Sequence, residues 1–127
     1  MTNSTTTTTN PVNWFQVGAS DADKAKVFYG ELFGWTYAAD ENSEGRYWIV
    51  TCGDGAPIQG GIVDTRGEMP SHAIFCVQVP DVAAACERAE ALGGSVLVPP
   101  QSMPGVTFAD LSDVDGNRFG VYRPEPG

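Results

Sequence analysis

The chain has 127 residues, 42% of them hydrophobic, and a formal net charge of −9 from 16 acidic and 7 basic side chains. That length implies one domain with surface enough to bury a core of its own. The acidic balance leaves no basic face for nucleic-acid phosphates, no apolar run approaches the roughly 18 residues of a membrane span, and three cysteines without a CxxC pair imply reduced thiols in a cytoplasmic protein.

Residues 1–10, MTNSTTTTTN, have no apolar periodicity and read as a disordered Thr-rich tail; no signal-peptide pattern is present. The domain is expected over 11–127. Val12 to Val17 alternates as a strand, with Trp14 and Gln16 on one face and Phe15 and Val17 on the other. Ser20 to Trp35, SDADKAKVFYGELFGW, is the stretch the rest is organised around. Ser20 with Asp23 suggests an N-terminal cap, Ala25, Phe28, Tyr29 and Leu32 make one apolar stripe, and Gly34 suits a left-handed stop. Strands are expected over 35–39, 46–52 and 57–63, separated by a polar turn at 40–45 and a tight turn at Gly53-Asp54-Gly55.

Asp64 to Pro70 reads as the linker between two copies of one unit. After it the order repeats. Ser71 to Val79 is a strand with His72, Ile74 and Cys76 on one face. A helix over 82–92 is capped by Asp81 and carries Val82, Ala85, Cys86, Ala89 and Leu92 on its apolar side. A strand from Ser95 stops at Pro99-Pro100. Two more run over 105–111 and 118–122 around the turn SDVDGN, and a frayed end begins at Pro124. Asp21 and Asp81 are 60 residues apart. The expectation is an α+β fold of two βαβββ modules, about 11–63 and 71–124, forming paired curved four-stranded sheets with the helices outside. The uncovered faces would line a trough for a small molecule.

SDADKAKVFYGELFGW together with DLSDVDGNRFGVYRP resembles the vicinal-oxygen-chelate superfamily, which includes the glyoxalase, bleomycin-resistance and extradiol-dioxygenase proteins. The resemblance runs over about Pro11 to Pro124 and implies the glyoxalase-like fold with a site in the trough. In metal-using members it implies four inward metal-holding positions. Carried onto this chain these are Trp14, Gly60, Ile74 and Gly120, none of which has a donor atom that zinc, iron or manganese would take. No metal and no cofactor are therefore expected.

What remains at those places is an apolar trough with polar handles. The ligand-binding candidates are Trp14, Gln16, Tyr47, His72, Ile74, Cys76 and Tyr122, and no residue is given a catalytic role. His72 is the one histidine, a side-chain type suited to general-base work or ligand binding. Cys76 is four residues away, roughly 13 Å along a strand, too far for His72 to activate it. Asp113 to Asn117 is a turn rather than a calcium loop, since the twelfth position is Pro124. Arg118 is expected to be exposed. The preferred function is metal-independent binding of a small, partly apolar or aromatic molecule. One alternative is a glyoxalase-like lyase or isomerase with an atypical metal site; another is an accessory interaction protein whose trough is filled by its own aromatics. A homodimer with no nucleic-acid or membrane partner is expected.

Overall fold

A computed structural model of the chain describes residues 9–125, so the tail expected over 1–10 lies, through residue 8, outside the described residues. The order is β1 (Val12–Ala19), α1 (Ala22–Phe33), β2 (Thr36–Ala39), β3 (Tyr47–Thr51), β4 (Gln59–Asp64), β5 (His72–Gln78), α2 (Val82–Ala91), β6 (Ser95–Met103), β7 (Val106–Ser112) and β8 (Arg118–Pro124). This is the α+β, twice-repeated βαβββ order that the sequence implies. No helix among the described residues is long and apolar enough to cross a membrane.

The chain divides into two compact units, Asn13–Cys76 and the remainder from Val77 with the residues before Asn13. In the first, β1 runs parallel to β4, with Trp14 opposite Gln59 and Gln16 opposite Gly61, while β2–β3 and β3–β4 are antiparallel. The parallel pair requires a crossover, which α1 and the β2–β3 hairpin supply. The strand order within this unit is β2-β3-β4-β1-β5. The sequence makes β5 the head of a second four-stranded sheet. Instead, its residues through Cys76 lie beside β1 in the first unit, and the boundary between units falls inside β5.

Helix α1 is capped by Asp21, whose side chain accepts from the Lys24 backbone N–H at 3.2 Å, rather than by Ser20. Gly34 ends it at φ 78° and donates its N–H to the Gly30 carbonyl. The stripe that packs on the sheet is Ala22, Ala25 and Tyr29 against Val17, Val50 and Ile62. Phe28 and Leu32, expected inside, are 59% and 57% exposed. Two alanines bring the helix close to the sheet, and Tyr29 stacks on Trp35 with centroids 5.2 Å apart, which rotates Phe28 and Leu32 to the flank.

In the second unit α2 is capped by Asp81, as expected, and buries Val82 and Cys86 against Ala109, Leu111 and Val121. Leu92, expected on that face, is 60% exposed because the helix ends one residue before it. Strands β6, β7 and β8 form an antiparallel ladder. β6 continues through Pro99-Pro100 to Met103, with register shifts on either side of Val98. It has β7 as its one neighbour in the strand order, and an edge strand tolerates missing N–H groups. The end expected to fray is held through Glu125, whose N–H donates to the Gly105 carbonyl at 2.9 Å. Arg118 is not free in solvent: its Nη2 lies 2.7 Å from Asp110 Oδ2, with both side chains largely buried.

Candidate functional site

In the Asn13–Cys76 unit, Phe15, Val17, Trp48, Val50 and Ile62 pack on the α1 side of the sheet. Strand alternation therefore turns Trp14, Gln16, Tyr47, Ile49, Thr51 and Gly61 to the face of this unit's sheet opposite α1. There the Trp14 Nε1–H donates to the Tyr47 hydroxyl at 3.1 Å. Tyr47 reaches Trp14 by crossing Gly61, where a Cβ would overlap the phenol ring. The missing side chain at 61 is thus what lets the two aromatics meet.

Further along β1 the same device recurs. The His72 ring lies over Gly18, in space a Cβ at 18 would fill. Its Nδ1 is 3.2 Å from the Pro70 carbonyl oxygen, which can only accept, so Nδ1 carries the proton. Nε2 is then the acceptor for the Gln16 side-chain N–H at 3.2 Å. The loop before β5 thereby fixes the imidazole tautomer. Of the seven ligand-binding candidates, the structure brings four together as two hydrogen-bonded pairs, Trp14 with Tyr47 and Gln16 with His72.

Beside Trp14 is an open cavity of about 570 Å³, lined by Asn13, Trp14, Thr51 and Gln59 and by the loop from Gly53 to Ile58. Gln59 is placed there by its register with Trp14. The loop side chains and Gln59 are site residues that sequence reasoning misses; the Gly-Asp-Gly signal marks the turn but not what it borders.

The other candidates are placed differently. Ile74 is half-buried and Cys76 is 6% exposed, and neither lines this cavity. Tyr122 belongs to the other unit, paired with Phe108 across β7 and β8. Burial pushes the Cys52 and Cys86 thiols above their ordinary pKa, which suits packing rather than nucleophilic work. Gly60 is on the α1 side, where a Cβ would overlap Phe15, so β4 turns Gln59 and Gly61 to the face opposite α1 instead. Metal-holding residues do not converge: among the described residues no group of three or more His, Cys, Asp or Glu side chains could hold an ion. Indole, sec-butyl and hydrogen at residues 14, 74 and 120 do not fit one either.

The profile of the Glyoxalase/Bleomycin resistance protein/Dioxygenase superfamily matches residues 12–121. A relative named putative glyoxylase CFP32, from Mycobacterium bovis, is 32% identical over 120 residues, covering 93% of this chain and 46% of that protein. The anthracycline biosynthesis protein DauV of a Streptomyces species is 29% identical over 125 residues, covering 87% of this chain and 46% of its own length. The chain thus spans about half the length of these curated relatives. The solved structure of a superfamily member from Vibrio splendidus aligns over 92% of this chain and 100% of its own, with a TM-score of 0.60 at 15% identity, a likeness of fold. By sequence and by fold, this chain belongs to the Glyoxalase/Bleomycin resistance protein/Dioxygenase superfamily.

Proposed function

We propose that the chain binds a small, partly aromatic molecule on the face of the Asn13–Cys76 unit opposite α1, without a metal ion. The observation that carries this is the Trp14 indole, held at its edge by Tyr47 beside a cavity of about 570 Å³. A ring fixed by its edge keeps its faces for stacking, and such contacts contribute about 0.5–1.5 kcal/mol beyond area burial. The volume is within the usual range for a small-molecule site. Gln16 and His72 supply polar groups farther along the strand. The relative named for anthracycline biosynthesis supports an aromatic ligand, since anthracyclines are fused-ring aromatics.

The test is titration of the protein with 1-naphthalenemethanol, followed by isothermal titration calorimetry. Saturable binding by the wild type that is lost in Trp14→Ala is expected. Binding that survives Trp14→Ala would sink the reading. Elemental analysis checks the metal half: one tightly held ion per chain, lost together with stability on chelation, overturns it.

One observation favours a lyase or isomerase as a second reading. His72 is on the same face, and with Nδ1 turned to the Pro70 carbonyl, Nε2 beside Gln16 is the nitrogen that would take a proton. That reading expects solvent deuterium to exchange into dihydroxyacetone in the presence of the wild type and not of His72→Gln. No exchange leaves binding as the function.

A further inference from the structure

The cavity beside Trp14 has a charge sign as well as a shape. Of its ten lining residues, Asp54 is the one ionisable side chain and none is basic. Asp54 takes part in none of the ion pairs of the described residues. It sits on a tight turn closed by the Ala56 N–H donating to the Gly53 carbonyl at 3.1 Å, so its carboxylate stands on a fixed loop. Two of the unit's cations are engaged away from the cavity lining: Lys26 lies 4.0 Å from the Trp48 ring centroid on the α1 side, and Arg46 bonds the Asp64 carbonyl and Glu68. Trp14 adds the aromatic face that best attracts a cation.

We infer that this cavity selects a cationic ligand: a flat aromatic bearing a protonated amine, its ring against Trp14 and its ammonium toward Asp54. This rests on the binding function proposed above and narrows it to a charge class. The carboxylate and the indole act on the same ligand from two sides, one through charge and one through the ring quadrupole. The chain's net charge of −9 adds a long-range attraction, which salt screens.

Three probes of one shape and different charge test it on the full chain: 1-naphthylmethylamine, 1-naphthalenemethanol and 1-naphthoate. Affinities are read by isothermal titration calorimetry at about 0.01 M and about 1 M salt, where the screening length is about 30 Å and about 3 Å. At low salt the amine is expected to bind about three- to ten-fold tighter than the alcohol, and the naphthoate more weakly than either. Asp54→Asn, tolerated in a turn, cuts the amine's advantage over the alcohol to what the Trp14 ring and the chain's general field supply; Trp14→Ala weakens all three. If amine and alcohol bind the wild type equally while Trp14→Ala abolishes both, the charge inference fails and the binding function stands. If Asp54→Asn leaves the amine preference undiminished, the Trp14 ring or the general field of the chain causes it and the assignment to Asp54 is overturned. If no probe binds the wild type, the binding function itself fails.

Discussion

Tyr47 performs two tasks with one side chain. Its hydroxyl accepts from Trp14, and its ring fills the space above Gly61. Tyr47→Phe should therefore cost about 0.5–1.5 kcal/mol in urea unfolding and speed solvent exchange of the Trp14 indole N–H. Gly61→Ala should cost about 1–3 kcal/mol, because the methyl forces the phenol out of its place. A neutral Gly61→Ala would mean that the ring is not held there. Asp113 gives a prediction in pH. The side-chain and backbone N–H groups of Asn117, followed by the Asp115 N–H, hold its carboxyl below the ordinary carboxylate range. A depressed folded value means that this turn's contribution is present above the unfolded pKa of about 3.9 and is lost as pH falls through the folded one. Carbon-detected titration should show Asp113 protonating below the ordinary carboxylate range, and Asn117→Ala should return it toward that range. Residue identity at the site was half legible. Alternation puts Trp14 with Gln16 on one face of β1 and Tyr47 with Ile49 on one face of β3, because period two needs only the sequence; that the two faces coincide comes from the pairing through β4. The partnership of Gln16 with His72 was not legible, since the sequence favours Trp14 and Ile74 and the relation of β1 to β5 depends on a long-range pairing.

For the elements, helix positions follow from local chemistry and helix orientation does not. Both helices begin after an aspartate and end near glycine, signals carried within a few residues. The cap of α1 is nonetheless one residue later than Ser20 suggests, and this is testable. Asp21→Ala should destabilise the protein by about 1 kcal/mol, whereas Ser20→Ala should change little. Equal losses in the two variants would restore Ser20 as the cap. The buried stripe was the harder inference. Ala25 and Tyr29 are inside as the spacing suggests, but Phe28 and Leu32 of the same stripe are not. A period of 3.6 marks a side of the helix without fixing how far it rolls on the sheet, which here is set by Ala22, Ala25 and the Tyr29–Trp35 stack. β6 misled for a related reason. Pro99-Pro100 stops a central strand, but whether a strand is central or at an edge is a property of the sheet and not of the segment.

For the molecule as a whole, the outward flank of α1 sets an expectation about assembly. Val27, Phe28, Leu32 and Phe33 are 64%, 59%, 57% and 57% exposed, four large apolar side chains within seven residues. Phe28 and Leu32 are one turn apart on one flank, with Phe33 adjoining through Tyr29. Contiguous apolar surface of this kind marks a contact site more often than a solvated helix. A second copy of the chain is the partner we expect. The two copies also repel, since each carries a net charge of −9. Burial of apolar surface favours association with little dependence on dilute salt, whereas like-charge repulsion is screened over about 10 Å at 0.1 M. Dimerisation through α1 should therefore tighten as salt rises, the reverse of a contact built on ion pairs. Light scattering at micromolar concentration should give a mass near twice 13.5 kDa in moderate salt. Phe28→Asp with Leu32→Asp should return it to a single chain at every salt concentration without changing the helical circular dichroism, because neither side chain belongs to the core beneath α1. A wild-type mass of one chain in moderate salt, or a dimer that weakens as salt is added, would show that this flank is a solvated surface or that the copies meet through charge.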